Sequence, residues 1–176
     1  MSSLGKYLWT ALVLAVLTHF AVLLAFPNFV MNTAMARVSG GHFNVWRQGA
    51  RVTEASRAIV RPSPDLAYST CVYDLSGGPI QVHVAPWRAY WSLSLYQDNS
   101  DNFFVIDDRE AHDGADVIII KQGMAAPDHA TAQIVESPTT RGIALVRRLA
   151  PTLEDYTGAA QAGRADVCAA TARSAH

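Results

Sequence analysis

Four polar side chains that lie close together in the sequence are the best candidates for chemistry in this chain. Asp65 falls in a loop, and Tyr68, Thr70 and Asp74 fall on the strand predicted to follow it. Because alternate side chains of a strand point to the same face, the last three could line a pocket in which Asp65 is the charged group. The alternative is that the Asp65 carboxylate only caps backbone amides in the turn after Pro64.

Trp91 or Tyr96 from a neighbouring strand could complete this pocket. Binding of a small molecule is the first interpretation. The second is an enzyme, hydrolase-like or of another type, that acts on a small envelope or imported substrate with Asp65 and Tyr68 as its polar pair. A structural spacer is the third. The sequence has no Gly-x-Ser-x-Gly elbow, phosphate-binding glycine loop or His-x-x-x-His zinc spacing. It therefore leaves catalysis open and predicts no cofactor.

The acidic segment that starts at Asp98 could be compared with a calcium-binding loop. Asp98, Ser100 and Asn102 have the spacing that opens an EF-hand. However, Phe103 occupies the position that requires glycine, and Arg109 occupies the position of the bidentate glutamate. We interpret the segment as a solvated acidic loop and predict no metal site.

Cys71 and Cys168 are the two cysteines, and their separation excludes a Cys-x-x-Cys redox or zinc motif. In an oxidising compartment they could form a disulfide, which would stabilise the fold by about 4–5 kcal/mol through lost chain entropy. Two buried free thiols are the alternative.

The sequence after residue 61 has the pattern of β-structure, with turn residues between short apolar segments. We predict a mainly β fold, an antiparallel β-sandwich or jelly-roll-like domain. It would end in a short helix that Thr152 caps, with Asp155 in the capping-box position. The predicted strands are Ala67–Leu75, Ile80–Val84, Ala89–Gln97, Phe103–Asp107, Asp116–Lys121, Thr131–Glu136 and Gly142–Arg147.

Residues 8–26 form the one long apolar run, without a charge. A helix over them would span roughly 28 Å, close to the thickness of a bilayer core. We predict a transmembrane helix in contact with membrane lipid that ends at Pro27, then a partly helical connector over 27–61 and the β-rich domain over 62–176. The alternative is a signal peptide with a small-x-small cleavage motif at Ala36, although its apolar core would be longer than usual.

Charge excludes one class of partner and favours one orientation. The 14 basic and 15 acidic side chains nearly balance, which gives no basis for a nucleic-acid partner. Lys6 precedes the apolar run, and Arg37 is the one cation in the twenty residues after it, which favours a cytoplasmic N-terminus. We expect a single-pass bacterial inner-membrane protein whose domain faces the periplasm, and whose helix could also contact an envelope protein partner.

The stretch from Arg61 to Val105 resembles a bacterial family called domain of unknown function 1254. Family members have a strand that ends in Asp-Leu, a Gly-Pro turn, an aromatic strand that opens with Tyr-Trp or Tyr-Phe, and an asparagine-rich turn before a phenylalanine. Ser63 and Leu66 replace the asparagine and threonine of the family signature. The matching residues are Asp65, Tyr68, Asp74, Leu75, Gly78, Pro79, Tyr90, Trp91, Asn102 and Phe103.

The resemblance implies a β-rich domain without an established activity, and it adds Asn102 to the candidate site. Short, membrane-anchored members of the family are commonly expected to be envelope proteins. We therefore predict a binding or accessory role in the cell envelope. The ligand-binding candidates are Asp65, Tyr68, Asp74, Trp91, Tyr96 and Asn102.

Overall fold

Helices flank a β-rich domain in the computed structural model, which describes residues 3–56, 61–127 and 131–171. The helices are α1 (Ser3–Ser39) and α2 (Leu153–Ala162), and single 3-10 turns cover Leu75–Gly77 and Gly163–Ala165. The strands are β1 (Trp46–Gln48), β2 (Leu66–Asp74), β3 (Ile80–Val84), β4 (Trp91–Gln97), β5 (Asn102–Asp107), β6 (Ala115–Lys121), β7 (Gln133–Ser137), β8 (Arg141–Leu149) and β9 (Val167–Ala170). The prediction of a mainly β fold is confirmed.

The strands form two sheets. The five-stranded sheet has the order β1-β2-β8-β4-β5, and all its neighbouring strands are antiparallel. The four-stranded sheet has the order β7-β6-β3-β9, and its β6–β7 pair is parallel. The expectation of antiparallel strands throughout is therefore wrong for this pair. Parallel neighbours need a crossover connection and cannot be joined by a hairpin.

One apolar core is shared by the two sheets. Leu93, Leu95 and Val146 come from the five-stranded sheet, and Val82 and Val117 come from the four-stranded sheet; all five are fully buried. Alternation along each strand sends every second side chain into this core and the others to the opposite face. The opposite face of the five-stranded sheet is called the helix-side face below, because the end of α1 covers part of it.

Helix α1 continues well beyond the apolar run. The prediction that the helix ends at Pro27 is wrong, because Pro27 lies inside α1, which reaches Ser39. Proline removes the donor for one backbone carbonyl, a loss that membrane helices tolerate through local adjustment. Within the described residues, α1 is the one helix long and apolar enough to cross a membrane, although a signal sequence has the same properties.

The last turns of α1 pack on the helix-side face. Met31 and Met35 are buried against Val72 of β2 and Ile143 of β8. Strand β1 then pairs with β2, so the β-rich unit begins inside the predicted connector and not at residue 62. Residues 57–60 of that connector lie outside the described ranges.

Helix α2 begins with the predicted capping box. The Asp155 backbone N–H donates to the Thr152 hydroxyl at 3.1 Å, and the Asp155 carboxylate accepts from the Thr152 backbone N–H at 3.3 Å. Hydrogen bonds from Thr152 and Arg88 hold the pKa of Asp155 below its ordinary value. The carboxylate therefore remains charged while it satisfies the backbone N–H of the N-cap residue.

Tyr73 is a polar group at the edge of the shared core. Its hydroxyl lies 3.0 Å from the Ser137 hydroxyl and donates to the Tyr96 carbonyl oxygen at 3.2 Å. Burial raises the pKa of Tyr73 to about 12, and the hydrogen bond to Ser137 opposes this shift. The side chain is therefore neutral at physiological pH.

Gly142 of β8 has no room for a side chain. A Cβ atom there would collide with the Tyr96 carbonyl oxygen and the Tyr73 hydroxyl, whereas a Cβ at Gly77 would meet no atom within 4 Å. We expect Gly142→Ala to lower the free energy of unfolding by about 1–3 kcal/mol, as overpacked cores do. Gly77→Ala is the matched control and should change it by less than about 0.5 kcal/mol. Urea unfolding of the detergent-solubilised chain measures both, and equal midpoints for the two variants would contradict the prediction.

Candidate functional site

A cavity of about 640 Å³ lies between the last turns of α1, the helix-side face, and the residues Ala50, Val52, Ser56, Arg61 and Pro62. It is called the helix–sheet cavity below. Its helix wall is apolar, with Val30, Met31 and Ala34, and Ile143 and Leu145 continue this apolar lining on the sheet. A volume of this size is typical of small-molecule sites.

Strand register explains which polar groups reach the cavity. Tyr68 of β2 pairs with Arg147 of β8, which pairs on its other side with Ser92 of β4. Directly paired residues project from the same face of a sheet, so these three form one polar row on the helix-side face. Tyr68 and Arg147 line the cavity, together with Tyr96 from the same face.

Arg147 is the half-buried cation of this row. Its guanidinium donates to the Ser94 hydroxyl at 3.1 Å and to the Tyr96 hydroxyl at 3.0 Å. Both partners are neutral, and no carboxylate within the described ranges forms an ion pair with Arg147. A partly buried charge without a counter-charge is costly, which makes Arg147 the group most suited to bind an anion.

Two tyrosine hydroxyls beside Arg147 are oriented by protein donors. The Tyr68 hydroxyl accepts a hydrogen bond from the Ser63 backbone N–H at 2.8 Å, and the Tyr96 hydroxyl accepts from Arg147. A phenol that already accepts keeps its own proton for donation. The cavity therefore offers a guanidinium and two O–H donors on one side and an apolar wall on the other.

Asp74 forms its contacts at the end of β2 and does not line the cavity. Its carboxylate accepts from the Ser76 backbone N–H at 2.9 Å and from the Arg141 guanidinium at 2.7 Å. Burial by itself would raise the pKa of Asp74, but the hydrogen bonds from Ser76 and Arg141 outweigh it and hold the pKa below its ordinary value. These contacts give Asp74 a structural role in the 3-10 turn that follows.

Three other candidates lie away from the cavity. Trp91 is fully buried in the shared core, because it alternates with Leu93 and Leu95 and so points to the face opposite Tyr96. Asp65 is exposed in its loop, and its carboxylate forms no hydrogen bond with any residue in the described ranges, including the expected turn amides. Asn102 is exposed at the start of β5. The structure therefore brings together only Tyr68 and Tyr96 of the six candidates.

Arg147 was not among the predicted site residues, although the sequence contains a signal for it. Ile143, Leu145 and Arg147 alternate along one predicted strand, which places the arginine on an otherwise apolar face. A charged residue in that position needs a partner, and the sequence alone does not show which strand supplies one.

The sequence matches a family profile described as "Protein of unknown function (DUF1254)" over residues 41–169. The chain belongs to the DUF1254 family. No functionally curated protein matches the sequence.

Two solved structures are similar to this DUF1254 chain. The VPA0106 protein from Vibrio parahaemolyticus has 13% sequence identity and a TM-score of 0.68, and the match covers 85% of this chain and 37% of that one. A putative uncharacterized protein from Burkholderia cenocepacia has 16% identity and a TM-score of 0.47, with 67% and 34% covered. The first likeness shows a shared fold, and this chain spans little more than a third of each relative's length.

Several DUF1254 signature residues of this chain lie at strand ends and turns. Asp74 ends β2, Leu75 begins the 3-10 turn after it, Trp91 opens β4, and Asn102 opens β5. Gly78 has a φ of 125°, a conformation that glycine adopts without strain. These positions shape the fold, and the helix–sheet cavity is built largely from residues outside the signature.

Cys71 of β2 and Cys168 of β9 form a disulfide that joins the two sheets. Beside it lies a second cavity of about 630 Å³, lined in part by Gln48, Ser69 and Asp166. The serine hydroxyl and the carboxylate there are already paired, since Ser69 donates to Gln48 at 2.7 Å and Asp166 binds Arg148 at 2.7 Å. We therefore regard the helix–sheet cavity as the candidate functional site of this DUF1254 domain.

Proposed function

We propose that this chain is a single-pass inner-membrane protein with a periplasmic, sandwich-like β domain that binds a small molecule in the helix–sheet cavity. Its role in the cell envelope would be binding or accessory. The observation that carries the proposal is the position of the cavity on α1. Val30, Met31 and Ala34 of its wall lie one to two turns beyond the apolar run of residues 8–26.

The exposure of α1 supports the membrane assignment. None of its most apolar stretch of 18 residues is buried against the described part of the domain. A helix of 37 residues is about 55 Å long, which exceeds a bilayer core of about 30 Å. The length of α1 beyond the bilayer core suffices for the turns that pack on the sheet. The cavity would therefore open close to the membrane surface.

Two features support a periplasmic domain. The disulfide between Cys71 and Cys168 requires an oxidising compartment, as the bacterial periplasm is. Lys6 before the apolar stretch favours a cytoplasmic N-terminus. The alternative enzyme, with Asp65 and Tyr68 as its polar pair, gains no support, because Asp65 does not line the cavity with Tyr68.

A blocked cavity tests the binding proposal. We expect the full chain in detergent micelles to bind a neutral apolar fluorophore, and Leu145→Trp to reduce that signal at least about fivefold by filling the cavity. Thr70→Trp fills it from a neighbouring strand and should do the same. Val105→Trp is the matched control, because Val105 lies on the same face but is 52% exposed on β5. Equal signals from all four proteins, each with a native circular dichroism spectrum, would reject the cavity as a binding site.

A further inference from the structure

We propose that the ligand of the helix–sheet cavity is a single-chain anionic amphiphile from the bilayer, whose carboxylate-type head group binds Arg147. This inference rests on the proposed function, because it names the ligand class of the same cavity. The head group would be held by the guanidinium and the chain by the apolar wall.

The charge of the lining is the first support. Arg61 and Arg147 line the cavity, and no acidic residue of the described ranges does. Asp107 is the nearest acid along the polar row, since it pairs with Ser92 on the far side from Arg147. Two strand spacings place it about 10 Å away. Its carboxylate also accepts from the Arg109 backbone N–H at 2.9 Å.

The donor groups at this end of the cavity are the second support. Among the described residues Arg147 donates to two neutral hydroxyls and to no other acceptor, and the protons of Tyr68 and Tyr96 remain for a ligand acceptor. In the same row, next to the cavity lining, the Ser92 hydroxyl is buried and has no hydrogen-bond partner in the described ranges. Donors in excess of acceptors match a carboxylate, which accepts several hydrogen bonds and donates none.

The apolar wall decides between a small polar anion and an amphiphile. The helix contributes Val30, Met31 and Ala34, and the sheet contributes Ile143 and Leu145. These side chains offer a hydrocarbon chain apolar burial but offer a compact anion nothing. The helix wall begins about one turn beyond the apolar run of α1, so a molecule with its chain in the bilayer would have a short path to the cavity.

The test compares three ligands with one protein and its variants. Titration of the full chain in detergent would use a long-chain fatty acid, the alcohol of the same chain length and hexanoate. We expect the fatty acid to bind at least about tenfold more tightly than the alcohol, the gain typical of a charge-assisted hydrogen bond. Arg147→Met should remove that difference without weakening the alcohol, and Arg147→Lys should keep part of it. Arg109→Met is the control, because it removes an exposed cation outside the cavity.

Each contrary result has a separate meaning. If the acid and the alcohol bind equally and Arg147→Met has no effect, the anionic head group is rejected while the cavity remains a binding site. If hexanoate binds as tightly as the fatty acid, the bilayer amphiphile is rejected in favour of a small soluble anion. If none of the three binds and Leu145→Trp changes nothing, the proposed function fails as well.

Discussion

Asp166→Asn is expected to lower the free energy of unfolding by about 3–5 kcal/mol, because it leaves the Arg148 guanidinium buried without its counter-charge. The pair is almost sealed from solvent, with side-chain exposures of 2% for Arg148 and 0% for Asp166. The two groups share two hydrogen bonds, of 2.9 and 2.7 Å. Asp166 also accepts from the Ala85 backbone N–H at 2.9 Å, so it ties β8 to the chain after β3.

Urea unfolding of the full chain in detergent measures this loss. Asp116→Asn is the matched control, because Asp116 pairs with His83 at 2.8 Å but is 54% exposed, and such pairs contribute at most about 1 kcal/mol. The double variant Arg148→Met with Asp166→Leu should recover much of the loss, since apolar side chains replace buried ion pairs well. Asp166→Asn and Asp116→Asn with the same unfolding midpoint would show that the buried pair contributes little.

Loss of the disulfide is the second large effect. Cys71 and Cys168 are 97 positions apart, and a loop of that length restricts the unfolded chain by about 4–5 kcal/mol, within a measured range of about 0–5 kcal/mol. We expect the double variant Cys71→Ala with Cys168→Ala, and the reduced wild-type chain, to unfold at a clearly lower urea concentration. The bond also holds β9, which has four residues, to β2 of the other sheet.

The same bond reports the compartment of the domain. In cells, thiol trapping should find the full chain oxidised, and a version without residues 3–26 that stays in the cytoplasm should be reduced. In urea unfolding, a reductant should lower the midpoint of the wild-type chain and leave the midpoint of the double alanine variant unchanged. A full chain trapped with two free thiols would count against both the bond and the periplasmic location.

The strands with strong alternation could be predicted from the sequence, and the short ones could not. Segments such as Ile80–Val84 were predicted with their observed bounds, because β-branched residues lie between clear turn signals. Strands β1 and β9 have only three and four residues, and β9 lies in an alanine-rich tail. Pairing with β2 and β3, and not local propensity, holds them in the sheets.

In the candidate site, too, the face on which a residue lies could be predicted from the local sequence, but the neighbouring strand could not. Alternation correctly places Tyr68 and Thr70 on the face of β2 opposite Cys71. It also places Trp91 on the core face of β4 with Leu93 and Leu95. It does not show that β8 lies between β2 and β4, which is what brings Arg147 beside Tyr68 and Ser92. Strand order is set by packing over the whole domain, so the sequence alone could not show which side chains lie beside Arg147.

The unbroken course of α1 has a mechanical consequence. Because Pro27 does not end the helix, the apolar run that we propose to lie in the bilayer and the wall of the cavity belong to one continuous helix. A membrane segment adjusts its tilt to bilayer thickness and to neighbouring proteins. Any such change of tilt would move Met31 and Ala34 of the helix relative to Ile143 and Leu145 of the sheet. The lipid environment would thereby change the width of the cavity.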